Sequence, residues 1–170
     1  HDATNGIDDA AFVTSLAAAI LGTENVKLSA SELLLAPSKT INALLLNGAD
    51  IDVCGELLTI TGGQIINLAN STLTSNLAFG PSEIFFFVEA ATTLAVNGTI
   101  TGTGALRKQR DGTLVLSGNN TGFTGAATVD EGVLRLLNSG ALGTATGGTT
   151  VSELAAMVLD GPLTLATEPI

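Results

Sequence analysis

The sequence of 170 residues has no tryptophan and no tyrosine, one cysteine, one histidine, one methionine, and six lysines and arginines against sixteen acidic residues. Each shortage closes off a class of function. A lone cysteine excludes an internal disulfide scaffold. The lone histidine, His1, leaves nothing from which to build a Ser-His-Asp or Cys-His arrangement, or a metal site that rests on histidines. With a formal net charge of −10 and no basic stripe, the chain cannot release counterions from a phosphate backbone. Nucleic acid and anionic membrane surfaces are therefore excluded as partners. The missing indole and phenol rings also remove the usual stacking platforms of sugar-cleaving sites.

Long apolar runs are scarce too. Ala10 to Leu21 is the most apolar stretch near the start, too short to span a bilayer, and it follows Asp8 and Asp9 rather than a basic region. Neither membrane insertion nor a signal peptide is expected from it. The start at His1 and the stop after "GPLTLATEPI" read as a mature or processed product, or an excerpt of something longer.

What the chain does have is leucine, valine, isoleucine and alanine, twenty glycines, and much threonine, serine and asparagine. That mixture suits many thin, similar layers better than one core built on large aromatics. A short phrase recurs from about residue 40: apolar alternation, then Asn, Asp, Ser or Thr, then Gly. It ends at Gly48, Gly62, Gly98, Gly118, Gly140 and Gly161, with a weaker copy at Gly80, and the gaps run 14, 18, 18, 20, 22 and 21 residues. A spacing near twenty fits one coil of a β-solenoid with two or three short strands per turn. Alternation as in Leu114-Val115-Leu116 turns one residue inward and the next outward, and the following Asn-Gly, Ser-Gly or Asp-Gly bends the chain into the next face. An antiparallel sandwich is the alternative, but it would ask for strict two-residue loops. Seven phrases in register favour stacked coils, expected from about Ser38 to Thr167, with Leu114, Leu116, Val129, Leu134, Leu136, Val158 and Leu163 pointing inward.

Residues 1–37 differ and are expected to form a lead-in or cap, leaving coils in 38–170. Phe12, Leu16, Ala19 and Ile20 fall at helical spacing behind acidic residues, so a short N-terminal helix or an irregular cap is the expectation. "NVKLSASELLLAPSKTINALLL" reads as two strands broken near Pro37. Ile84 to Val88 shows no alternation, which suggests a strand buried on both faces or a patch covered by a partner.

The stretch Gly102 to Val151, "GTGALRKQRDGTLVLSGNNTGFTGAATVDEGVLRLLNSGALGTATGGTTV", resembles the autotransporter-associated β-strand repeat of exported bacterial proteins. The matching positions are Gly102, Gly104, Leu106 and Lys108, then Gly112 through Leu114, Leu116 to Gly118 and Asn120. They continue at Thr124, Gly125, Thr128, Val129, Gly132 and Leu134, and close with Gly140 to Gly143. Thr40 to Ile100 looks like the degenerate coils that precede this repeat. The resemblance implies a right-handed parallel β-helix in a passenger-type region on, or shed from, the cell surface. It implies a stalk, adhesin or matrix role and no catalytic residues. "RKQRD" departs from the pattern, placing Arg107, Lys108, Arg110 and Asp111 on one coil edge, a candidate lateral contact.

Candidate chemistry is thin. Asp50 and Asp52 share one face of a strand with Glu56 after a turn, a weak Ca²⁺ candidate set against the plainer reading of a solvated acidic face. Cys54 reads as a small buried hydrophobe rather than a nucleophile. Arg107, Lys108 and Arg110 could take an anionic glycan, but pairing with Asp111, Asp130 or Glu131 on adjacent coils is favoured. "GGQ", "GTGAL" and "GNNTG" lack the ending and context of phosphate loops. The triplets beginning at Asn70, Asn97 and Asn119 match the N-glycosylation pattern, which chance supplies readily in such a composition.

The expectation is thus an extracellular or cell-surface structural or adhesive β-solenoid, not an enzyme, without catalytic residues or cofactors. Its expected partners are its own coils, through end-to-end self-association or continuation in a longer chain, with surface glycans as a further option. The rivals are a carbohydrate-binding or -cleaving β-helix of lyase or tailspike type and a β-helical virion fibre or decoration protein.

Overall fold

The computed structural model describes residues 12–16, 23–33, 38–52, 56–144 and 146–165. Cys54, and Ala19 and Ile20 of the proposed helical face, lie outside them. In chain order the strands are β1 (Phe12–Val13), β2 (Asn25–Leu28), β3 (Glu32–Leu33), β4 (Lys39–Asn47), β5 (Ile51–Asp52) and β6 (Leu57–Ala69). There follow β7 (Ser71–Leu73), β8 (Asn76–Phe79), β9 (Ile84–Val88), β10 (Thr93–Val96), β11 (Ile100–Thr101) and β12 (Leu106–Gln109). The last are β13 (Thr113–Leu116), β14 (Ala127–Val129), β15 (Gly132–Leu136), β16 (Thr149–Val151) and β17 (Ala155–Leu159).

Every pairing between these strands is parallel, and each joins a strand to one in an adjacent coil. The result is a right-handed parallel β-helix of about 6 turns. One sheet stacks β1-β2-β4-β6-β9-β12-β14-β16, and a facing sheet stacks β17-β15-β13-β10-β7-β5-β3. The first halves of β4 and β6 continue sideways into β8 and β11, forming a third wall. Two extra residues in β6, across from Asn42, shift the register and turn that strand around the corner at Gly62–Gly63.

The core is a set of columns. Val26, Leu44, Ile65, Phe86, Lys108, Val129 and Val151 stand one above another in the first sheet. Ile51, Leu73, Val96, Leu116, Leu136 and Leu159 do so in the second. These positions recur every 18 to 23 residues, which is the coil length. Leu114, Leu116, Val129, Leu134 and Leu136 are buried as expected, and Leu163 packs half-buried against the core.

Four expectations are corrected. Val158 is 42% exposed. Its strand is apolar on both parities, and the register that sets Met157 on Leu134 puts Val158 on Arg135, facing outward. Phe12–Val13 is a strand in register with Asn25 and Val26, not the start of a helix, so parallel pairing reaches back beyond Ser38. Ile84 to Val88 does alternate: Ile84, Phe86 and Val88 point in, while Phe85 and Phe87 lie half-exposed outside. The seven glycine phrases do not form one column either. Those ending at Gly48 and Gly80 close strands of the first sheet, the one ending at Gly62 lies at the corner within β6, and the last four follow strands of the second. The phrase is a strand-and-corner unit reused at different corners.

One corner explains a glycine column. A Cβ on Gly104 would lie 1.8 Å from the carbonyl oxygen of Ser82, one on Gly125 would lie 2.0 Å from that of Gly104, and one on Gly147 would lie 2.2 Å from that of Gly125. Successive coils approach there so closely that only hydrogen fits.

Candidate functional site: the charged corner of β12

β12 carries the departure from the family pattern, and alternation splits its charges between two environments. Arg107 and Gln109 point outward; Leu106 and Lys108 point inward. The four charges of "RKQRD" therefore do not share one edge. Lys108 is fully buried, in the column between Phe86 and Val129. Burial without partners would cost an ammonium several kcal/mol, and the chain answers with carbonyls. Nζ donates to the carbonyl oxygens of Gln109 at 3.1 Å, Arg110 at 2.5 Å and, one coil on, Glu131 at 3.1 Å. Arg110 adopts φ +68°, an uncommon conformation for a residue with a side chain, within the turn that brings these oxygens together. Burial pulls the Lys108 ammonium down to about 8, against the raising influence of Glu131 and Asp111.

Outside, the arginines are paired across coils. Arg107 makes a two-pronged contact with Asp130 at 2.9 and 2.8 Å and reaches Glu83 at 3.6 Å on the other side. The hydrogen bond from Arg107 holds the Asp130 carboxyl below its ordinary value, with Gln109 adding a further bond at 3.3 Å; the same bond raises the Arg107 guanidinium. Arg110 pairs with Glu89 on the preceding coil, its guanidinium lies 5.8 Å from the centre of the Phe87 ring, and its amide donates to the Glu131 carboxylate at 3.0 Å. Phe85 and Phe87 stack at 5.7 Å beside them. Asp130 is the expected partner of Arg107. For Arg110 the side-chain partner is Glu89, and for Lys108 it is backbone.

Asp50 and Asp52, the weak Ca²⁺ candidates, are engaged elsewhere. Asp50 accepts from the Thr72 amide at 2.7 Å, and Asp52 accepts from the Thr74 hydroxyl at 2.8 Å, each one coil on. Glu56 accepts from Ser38 at 2.9 Å. Among the described residues no group of three or more His, Cys, Asp or Glu is placed to hold a metal ion.

Asparagines carry a role that composition alone did not assign. Asn70 accepts from the Thr93 amide at 2.8 Å and Asn76 from the Thr99 amide at 3.0 Å. Buried Asn120 accepts from the Ile100 amide at 2.7 Å and donates to the Ala141 carbonyl at 2.6 Å, joining three coils. Asn97, within another of the glycosylation triplets, accepts from the Ser117 hydroxyl at 2.8 Å. Each of these asparagines stands 20 to 23 residues from the group that it bonds, which is one coil length.

A family model described as the passenger-associated-transport-repeat matches residues 106–136. That span opens on β12 and closes on β15, so it contains both Lys108 and the Glu131 carbonyl that receives it. The chain is 34% identical over 125 residues to "Adhesin BmaC autotransporter" of Brucella suis biovar 1 (strain 1330), an alignment covering 74% of this chain and 3% of that protein. No solved structure matches. The repeat, the relative and the parallel coils agree, and together they fit a passenger-type β-helix that carries the autotransporter-associated repeat.

Proposed function

We propose that the chain is a non-enzymatic part of a bacterial cell-surface solenoid whose work is structural and adhesive. The observation that carries this reading is the continuous parallel pairing of coils from β2 to β16, in a chain similar over 125 residues to an autotransporter adhesin. Such a stack acts through length and through the surface of its walls, as solenoids do in general. Surface glycans are the partner class proposed for those walls. End-to-end self-association, or continuation of the coils in a longer chain, is the proposed cover for the last described coil: among the described residues β17 pairs only with β15, and Leu154 and Leu159 are 86% and 45% exposed.

Surface display is tested by placing a short epitope at Gly80, an exposed position where no atom lies within 4 Å of an added Cβ. Antibody should label intact, unpermeabilised cells that produce the protein. Labelling only after permeabilisation refutes the surface assignment. Adhesion is tested with beads coated with the chain, which should adhere to host cells or immobilised glycans and lose adherence when unfolded by Leu116→Asp. Equal adherence of both coatings refutes specific adhesion. Sedimentation should show association that rises with concentration and is weakened by Leu159→Glu; a monomer at all concentrations refutes the end-to-end contact.

A further inference from the structure

Of the three Asn-Gly pairs of this sequence, Asn47-Gly48 and Asn97-Gly98 lie among the described residues; they occupy opposite environments, and that contrast carries a chemical consequence. An asparagine followed by glycine can cyclise, because no side chain on the second residue hinders approach of its amide nitrogen to the asparagine side-chain carbonyl. In a folded protein the reaction also needs local freedom to bring those atoms together.

Asn97-Gly98 is clamped. The Asn97 amide donates to the Leu73 carbonyl at 2.8 Å, and its side-chain oxygen accepts from Ser117 at 2.8 Å. Gly98 is buried between coils: a Cβ there would lie 1.8 Å from the Ser75 carbonyl oxygen, and the Gly98 oxygen itself lies 2.1 Å from where a Cβ of Gly118 would stand. Asn47-Gly48 is open on its side-chain face, with the Asn47 backbone ending β4 in register with Ala69. Both residues are exposed, Gly48 turns the corner after β4 at φ +72°, and an added Cβ would meet nothing nearer than Ala69 at 3.8 Å. Among the described residues no hydrogen bond holds the Asn47 side chain.

We propose that Asn47 is a site of spontaneous deamidation and isoaspartate formation, and that the fold protects Asn97 from the same reaction. The Gly48 amide nitrogen, losing its proton to hydroxide, attacks Cγ of Asn47. The Cγ–Nδ2 bond breaks and ammonia leaves with a proton from water, closing a succinimide. Water then opens the ring at either carbonyl, giving an aspartyl or an isoaspartyl residue. No oxidant or reductant is involved. Both products add a negative charge to a chain already at −10. The isoaspartyl form also lengthens the backbone by one carbon at a corner directly ahead of Ala49 and Ile51, which are both fully buried. Ageing of the protein thereby loosens one corner of the stack.

The experiment incubates the folded chain and a guanidinium-unfolded sample at mildly alkaline pH and follows each peptide by mass and by isoaspartate-specific methylation. In the folded chain Asn47 should convert at least about tenfold faster than Asn97, and in the unfolded chain the two should convert at similar rates. Aged protein should melt lower than fresh protein, and Asn47→Gln should abolish that drop. Equal conversion of Asn47 and Asn97 in the folded state overturns the proposal. So does an Asn47 site as slow, relative to the unfolded chain, as Asn97.

Discussion

Lys108 stands in register with Phe86, one coil earlier, and both side chains point into the same core column. A cation thus replaces an aromatic ring within a stack of apolar residues, and it is held by three backbone carbonyls. Lys108→Ala removes the buried stem and leaves those carbonyls facing a void, so a loss of about 2–5 kcal/mol is expected. Lys108→Met keeps most of the volume and should lose less. Urea unfolding distinguishes them; equal losses would mean that packing of the stem does not matter.

The same residue makes stability depend on pH in an unusual direction. Its folded value is about 8 against an ordinary 10.5, so between those two pH values the unfolded chain binds more protons than the folded one. Stability therefore rises as pH increases through that window. Below pH 8 the cost of keeping the ammonium buried is fully present. Lys108→Met should remove the rise, seen as a flat difference between unfolding free energies at pH 7 and pH 10. An identical rise in both proteins would show that another group titrates.

Asp130 sets an opposite, acidic limb. Its carboxyl is depressed by the hydrogen bond from Arg107, so its contribution is present above the ordinary carboxylate value of 3.8 and is lost as pH falls through the depressed folded value. Arg107→Gln should move the acid-unfolding midpoint to higher pH. An unchanged midpoint would show that the pair contributes nothing measurable, as many exposed ion pairs do.

The parallel coil was legible in the sequence because each strand-and-corner phrase carries its own instructions: alternation for the wall and Asn-Gly or Asp-Gly for the bend. What stayed hidden depended on register between coils. "AAMVL" offers apolar side chains on both parities, so only its pairing with β15 reveals that Met157 and not Val158 faces the core. "IFFFV" conceals its alternation because the outward positions are also aromatic. Lys108 reads as a surface charge until the turn after β12 is seen to fold its carbonyls back over the ammonium. Local pattern defines the wall, and inter-coil contacts decide what each wall position does.

A matched pair of substitutions tests that distinction. Leu116 is buried in the column beneath Leu136, whereas Val158 lies outward beside Arg135. Leu116→Asp places an uncompensated carboxylate in a dry column and should destabilise by several kcal/mol. Val158→Asp, next to a guanidinium, should stay within about 0.5 kcal/mol of the parent. Similar losses at the two positions would contradict the register of β15 and β17.

Asn120 offers the sharpest test of how coils are tied together. It is buried, its side-chain oxygen accepts from the Ile100 amide, and its side-chain nitrogen donates to the Ala141 carbonyl. Those partners lie 20 and 21 residues away in opposite directions along the chain. One amide thus satisfies a backbone group on the coil before and another on the coil after. Asn120→Ala leaves both unsatisfied in a site closed to water, and each such group costs about 1–3 kcal/mol, for an expected loss of about 2–6 kcal/mol. Asn120→Asp keeps the acceptor but removes the donor and sets a carboxylate against the Ala141 oxygen. It should therefore be at least as damaging at neutral pH and should partly recover as acid protonates the carboxyl. Hydrogen exchange gives the local readout, since the Ile100 amide should lose protection in the alanine variant and keep more of it in the aspartate variant. Full protection of that amide in Asn120→Ala would show that the side chain does not tie these coils together.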